Sequence, residues 1–237
     1  MIKKKILILG ASGLLGRNCV QTLGEKYDIV SHFHQKSYVL NNIKKVSFNL
    51  FNKSQVIKFL NKFRPNIVIN ASGFTSVEKC ESQKKKAYQI NVIINDFFSK
   101  LSSNFNFKYV SISSDHLFND NSVSKNKKFK EADITYPLNY YAKTKIIAEK
   151  KILNNCNNFL IIRTNFFGKG FFYRKSFSDL IIERLIENKN SYLFKDVFYT
   201  PISIKNLIYC INYLIKKNKK GIFNISCNEK ISKYKFG

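Results

Sequence analysis

Apolar residues fall along this chain in short blocks of two alternating kinds. Ile6 to Leu9 is a continuous apolar run closed by Gly10, as a strand buried on both faces requires. Leu14 to Lys26 then carries Leu15, Cys19, Val20 and Leu23 at helical spacing, and Tyr27 to Phe33 reads as a second strand. Ser54 is placed to cap a helix whose inner side holds Val56, Ile57, Phe59, Leu60 and Phe63, with Pro65 closing it. Ile67 to Ala71 predicts the next strand, and Lys84 to Ser103 a long helix with Ala87, Ile90, Val92, Ile94, Phe97 and Leu101 largely on one side. Lys108 to Ser113 and Phe159 to Thr164 predict two more strands. This βαβα order predicts a parallel sheet covered by helices on both faces. Beyond residue 165 the pattern loosens into a helix near Ser176 to Glu187, a short strand near Tyr192, a helix near Ile204 to Ile215 and a strand at Ile222 to Ile225. A smaller lobe could be built there.

Between Asn119 and Pro137 lies a long, polar, lysine-rich stretch, and loops of that length in compact domains are commonly functional. Length alone allows one large α/β domain, or one with a small appendage.

Charge changes the picture less than its size implies. The formal net charge is +26, which first points to nucleic acid or an acidic membrane surface. Yet lysine supplies 36 of the 41 basic residues and is scattered, whereas recognition of bases and phosphates favours arginine's planar fork. Neither nucleic acid nor a membrane is therefore expected as the partner, while an anionic small substrate would benefit from the same field. Cys19, Cys80, Cys156, Cys210 and Cys227 stand far apart, with no CxxC and no histidine cluster, so no metal site is expected. They read as reduced, mostly buried residues of a cytoplasmic protein. The basic start and apolar run of MIKKKILILGASGLLG imitate a signal peptide, but glycines break the run and Arg17 follows at once. No stretch reaches the length of a membrane span.

Chemistry enters at ILILGASGLLG. Gly10, Gly13 and Gly16 stand in the arrangement G-x-x-G-x-x-G at a strand-to-helix turn, where glycine permits the tight turn and lets backbone approach a pyrophosphate at the helix N-terminus. The expected fold is thus a Rossmann-type doubly wound parallel sheet: residues 1–165 form the dinucleotide-binding domain, and 166–237 a partial substrate lobe interleaved with the last sheet elements. Further on, YYAKTK sets Tyr141 over Lys145, and Tyr140 over Thr144, if it is helical. Such pairs also occur as packing or solvated surface.

The glycine spacing resembles the short-chain dehydrogenase/reductase superfamily in its extended, sugar-nucleotide-acting form. That likeness demands a Ser or Thr after a mid-chain strand, then a Tyr and a Lys four residues on, and Ser114, Tyr141 and Lys145 supply them. VINASGFTSVEKCE, AYQINV, SISSDHLFN, EADITYPLNYYAKTKIIAE, IIRTNFFGKG, TPISIKNL and GIFNISCNEKISKYKF are each similar, in this order, to segments of the dTDP-4-dehydrorhamnose reductases. The chain stops where that family usually continues, so it looks like a truncated member. The resemblance implies NADP(H)- or NAD(H)-dependent reduction of a nucleotide-linked 4-keto-6-deoxy sugar for polysaccharide precursors, and allows a homodimer. A related NAD-dependent epimerase or dehydratase, and a non-catalytic regulatory subunit that binds the dinucleotide without turnover, remain alternatives.

Ketone reduction needs a hydride donor, a proton donor and a dipole on the carbonyl oxygen. Tyr141 would donate the proton, with the Lys145 ammonium and the nicotinamide's positive charge drawing its phenol below the usual value of about 10. Ser114 would hold the carbonyl; taken alone it is also an ordinary strand-end residue. Ser113, its neighbour on the opposite face, should not share the role. By resemblance Lys145 also holds the nicotinamide ribose, and the cofactor seat comprises Gly10, Ser12, Gly13, Leu14, Leu15, Gly16 and Arg17, then Asn49 and Leu50 at the adenine, then Ala71, Ser72, Gly73, Phe74 and Thr75 at the nicotinamide half. The second strand ends in SHFHQKS, with no acid to bind ribose hydroxyls and with His34 and Lys36 available, so NADP is favoured over NAD. Arg17 either reaches the same phosphate or is a solvated helix residue. Thr75, Val77, Asp115, His116 and Phe166 match substrate positions. His116 stands where tyrosine is typical and Phe166 where tryptophan is common; His116 could be a separate acid or base, or a hydrogen-bonded structural residue.

Overall fold

The structure is a computed structural model that describes residues 3–34, 43–118, 128–171, 173 and 175–237. Its strands are β1 (Lys5–Leu9), β2 (Asp28–Phe33), β3 (Lys44–Ser47), β4 (Ile67–Asn70), β5 (Lys108–Ile112), β6 (Phe159–Thr164), β7 (Phe166–Phe167), β8 (Phe198–Tyr199), β9 (Ile202–Ser203), β10 (Gly221–Ile225) and β11 (Ile231–Ser232). Seven of them form one parallel sheet in the order β10-β6-β5-β4-β1-β2-β3, so the strand order reverses beside β1, where the chain crosses from β3 to β4. The small pairs β7 with β9 and β8 with β11 lie outside it.

The helices are α1 (Leu14–Leu23), α2 (Lys53–Phe63), α3 (Val77–Ser82), α4 (Lys84–Tyr88), α5 (Ile94–Phe105), α6 (Tyr140–Asn155), α7 (Phe177–Ile186), α8 (Ile204–Lys216) and α9 (Lys233–Phe236). Strand alternation sends the two sides of β1 into two cores. Ile6 and Ile8 join α1 and α8 residues such as Val20, Leu207 and Ile211, while Leu7 and Leu9 join Val56 and Leu60 of α2, Phe98 of α5 and Ile152 of α6. Both faces of the sheet are thereby covered.

Several local expectations are corrected. The cap of α2 is Asn52, whose Oδ1 accepts from the Gln55 amide at 3.2 Å and from Ser54 Oγ at 2.8 Å; Ser54 sits inside the first turn. The long helix is three pieces, α4, a π-helical turn at Gln89–Ile93, and α5, and it buries Phe98 rather than Phe97. Phe98 lies four residues after Ile94 and three before Leu101, both buried, which places it on their face. Tyr192 forms no strand and is 90% exposed; Phe198–Tyr199 pairs with Ile231–Ser232 instead. The strand at 221–225 joins β6 at the edge of the central sheet. Of the lysine-rich stretch, residues 119–127 lie outside the described residues; in its remainder the Glu131 carbonyl accepts from Arg163 Nη1, and Glu131 Oε1 accepts from the Asn224 amide on β10.

No helix among the described residues is long and apolar enough to cross a membrane. All five cysteines are unpaired, with Cys19, Cys80 and Cys156 buried.

Candidate functional site

A cavity of about 540 Å³ opens at the carboxyl ends of the strands, beside the reversal of strand order where open α/β sheets bind ligands. Gly10 turns the chain out of β1 at φ +73°, and a Cβ there would stand 2.7 Å from the Ser72 backbone, so only glycine fits. The Gly13 amide donates to the Gly10 carbonyl at 2.9 Å and closes the turn. Gly13 is the N-cap of α1, and no side chain caps the helix. The first-turn amides therefore carry free donors and the positive end of the helix dipole at a glycine-lined wall, a seat for an anion such as a pyrophosphate.

The other end of the cavity holds the polar side chains. Asn139 caps α6 by accepting from the Ala142 amide at 2.8 Å, which starts the helix at Tyr140 and turns Tyr141 inward to 8% exposure. Lys145, one turn on, lies with its Nζ 5.6 Å from the Tyr141 ring centre and donates to the Ile112 carbonyl at 2.9 Å. Ser114 follows the end of β5, hydrogen-bonds the Tyr141 hydroxyl, and accepts from the His116 amide at 3.2 Å. Asn91, in the π-helical turn, holds both polar groups of the Phe74 backbone and donates to Thr144 Oγ1, which donates to the Tyr141 carbonyl at 2.7 Å. The loop at Gly73 and the start of α6 are thus fixed to each other.

Electrostatics run against one expectation. Burial pushes the Tyr141 phenol up to about 12, with Asp115 and Cys80 adding to the rise and only the Ser114 hydrogen bond opposing it. Burial likewise brings the Lys145 ammonium down to about 8, against the pull of Glu149 and Cys80. The Lys145 ammonium is held by the Ile112 carbonyl, and burial is the largest influence on the phenol. At neutral pH Tyr141 is a neutral proton donor beside a cation.

A family model described as "RmlD substrate binding domain" matches residues 4–237. The chain belongs to the RmlD substrate-binding-domain family. It is 29% identical over 189 residues to a dTDP-4-dehydrorhamnose reductase of Aggregatibacter actinomycetemcomitans, an alignment covering 78% of this chain and 58% of that protein. The chain thus spans less than two thirds of that relative. A hypothetical dTDP-4-dehydrorhamnose reductase from Sulfolobus tokodaii superposes with TM-score 0.84 at 31% identity, covering 97% of this chain and 78% of the other. The Bacillus anthracis dTDP-4-dehydrorhamnose reductase in complex with NADP superposes with TM-score 0.86 at 26% identity, covering 99% and 78%.

In this member of the RmlD family the cavity wall gathers most of the residues singled out in the sequence. Gly10, Ser12, Gly13, Leu14, Leu15, His34, Asn49, Leu50, Ala71, Ser72, Gly73 and Thr75 line one part of it; Val77, Ser114, Asp115, His116, Tyr141, Lys145 and Phe166 line another. Gly16, Arg17 and Phe74 lie outside the wall. Gly16 packs behind the turn against the Gly10 carbonyl, and Phe74 packs with Cys80, Ala87 and Tyr141. Arg17, partly exposed, lies with its guanidinium 4.0 Å from the Phe171 ring centre and donates to Tyr173 Oη, outside the wall. Lys36 lies outside the described residues. His116 packs edge-on against Tyr141, ring centres 5.9 Å apart.

Sequence reasoning missed Asn165 and Thr164, which line the wall beside Phe166. Asn165 donates to the Asp115 carboxylate at 3.1 Å, and Thr164 Oγ1 is buried with no hydrogen-bond partner among the described residues. The segment RTNFF carried a signal for them, since polar residues at the end of a buried parallel strand point to the ligand edge. Ser113 also borders the cavity, though its Oγ donates away from it, to Glu149.

Proposed function

We propose that the chain performs, or forms most of a protein that performs, NADPH-preferring reduction of a nucleotide-linked 4-keto-6-deoxy sugar. The observation that carries this reading is that one cavity joins an uncapped, glycine-lined helix N-terminus to Ser114, Tyr141 and Lys145. A glycine cradle shaped by Ser72, free amide donors and the partnerless Thr164 hydroxyl suit a phosphate-bearing ligand with hydroxyl groups. Bound there, the dinucleotide supplies the hydride.

The chain's own residues do the rest. Residues 71–75 and Lys145 orient the ligand's reactive end, Ser114 Oγ holds the substrate carbonyl, and the neutral Tyr141 hydroxyl gives its proton to the oxygen as negative charge develops. His34, an exposed residue of the cavity wall in a sequence stretch, SHFHQKS, that carries no acid, favours a 2′-phosphate over free ribose hydroxyls. Residues 166–237 would supply the substrate lobe, with Phe166 against the sugar. The membership in the RmlD family and the NADP complex of the Bacillus anthracis relative support the reading.

The test follows NADPH and NADH absorbance with a panel of dTDP-linked 4-keto-6-deoxy sugars. Faster oxidation of NADPH supports the proposal. Dinucleotide binding without turnover on any sugar would replace it with a regulatory role. Turnover should also fall as pH rises. Lys145 is charged below about 8 and neutral above it, so a reaction that needs the ammonium loses rate through that value. A profile of kcat/KM against pH that stays flat well into the alkaline range would remove the charge of Lys145 from the mechanism.

A further inference from the structure

One helical turn beyond Lys145 lies a buried carboxylate outside the cavity wall. Glu149 and Arg163 are 4% and 6% exposed. Arg163 Nη2 donates to Glu149 Oε2 at 2.7 Å and Nε to Oε1 at 3.1 Å, while its Nη1 donates to the Glu131 carbonyl at 3.1 Å. Glu149 Oε1 also accepts from Ser113 Oγ at 2.5 Å. Helical spacing sets Glu149 on the face of Lys145, whose Nζ donates to the Ile112 carbonyl. Two consecutive residues at the end of β5, Ile112 and Ser113, are therefore tied to two consecutive turns of α6, and the next residue is Ser114.

We propose that Glu149 is a positioning residue: clamped by Arg163, its carboxylate sets both the Lys145 ammonium and the end of β5 that presents Ser114. The inference rests on the roles given above to Ser114, Tyr141 and Lys145. Packing alone does not account for the pair, because apolar side chains of similar volume would join helix to strand without the desolvation penalty of two buried ions. The charge has a use in its surroundings. Lys145 is faced by Tyr141 and Glu149 from α6, by Cys80 from α3 and by the Ile112 carbonyl from β5; Asp115 and His116 stand beyond Tyr141. Glu149 is the foremost of these in holding the ammonium against burial, with Cys80 second. Arg163 from β6 fixes that carboxylate in place with a paired contact from Nε and Nη2.

Competitive acetylation of the full chain across neutral to alkaline pH, read at Lys145 by mass spectrometry, titrates the ammonium directly. Glu149→Gln should move its midpoint about one pH unit lower, because the attraction goes and the Arg163 charge is left unbalanced. The double variant Glu149→Gln with Arg163→Gln, which leaves no lone buried charge, should move it the same way by less, and it carries the test if the single variant does not fold. An unmoved midpoint in the folded variants would overturn the proposal. Acetylation needs neither dinucleotide nor sugar. A wild type that fails to oxidise NADPH therefore counts against the reductase reading alone, whereas an unmoved midpoint in a protein that does turn over counts against Glu149 alone.

Discussion

Tyr141→Phe should cut reductive turnover about 10³-fold and leave dinucleotide affinity within a few-fold of wild type. The phenol oxygen contributes little to the fold. The ring is 8% exposed and packs in a small cluster with Cys80 and Ala87, and phenylalanine keeps those contacts. What disappears is a neutral hydroxyl, held protonated by burial up to about 12 and aligned by Ser114, at the wall of the cavity. Tyr140→Phe is the matched control. Tyr140 is partly buried at the first position of α6, with its amide donating to Glu81 Oε1 at 2.6 Å and Lys84 above its ring, and lies outside the cavity wall, so losing its hydroxyl should leave turnover near wild type. Stopped-flow or steady-state NADPH oxidation on both variants, with fluorescence titration of the dinucleotide, reads the contrast. Equal turnover in the two variants would remove Tyr141 from the chemistry.

The asymmetry between the two tyrosines was legible in YYAKTK because helical spacing is a property of sequence alone: one residue shares a face with Lys145, the other does not. The central sheet was legible for the same reason, since strands buried on both faces read as continuous apolar runs, as in Ile6 to Leu9 and Ile67 to Ile69. β3 was not, because Lys44 to Ser47 lies at the sheet edge with two lysines exposed and no apolar run to mark it. The direction of the Tyr141 shift was not legible either. Spacing shows that a cation stands one turn away, but it does not show how deeply both groups are buried, and burial outweighs the neighbour here. Asn91 escaped notice because its work depends on a π-helical turn and on partners 17 and 53 residues away, at Phe74 and Thr144.

Gly16 draws the line between what a motif says and what its residues do. The triplet reads as three ligand contacts, yet Gly16 lies outside the cavity, and a Cβ on it would stand 2.2 Å from the Gly10 carbonyl oxygen and 2.9 Å from Ala11 Cα. The three nearest atoms it would strike are all backbone of the turn between β1 and α1, so no side chain can rotate away to relieve them. Either α1 lifts off β1, opening the core around Leu15, Cys19 and Val20, or the Gly10 turn opens and its amides leave their positions. Gly16→Ala should therefore cost about 3 kcal/mol of stability, roughly 10 °C in Tm for a chain of this size. Dinucleotide affinity should fall at least about tenfold, since the anion seat depends on the same turn. Gly73→Ala supplies the opposite case. Its Cβ would meet only side-chain atoms, Thr75 Cγ2 at 3.4 Å and Asn91 Oδ1 and Lys145 Nζ at 3.7 Å, so Tm should stay within a few degrees while the methyl intrudes where the ligand's reactive end is proposed to lie. Thermal unfolding and dinucleotide titration on the pair separate a glycine that shapes the fold from one that keeps the site clear. A Gly16→Ala protein that melts like wild type would show that α1 can shift without disturbing the core.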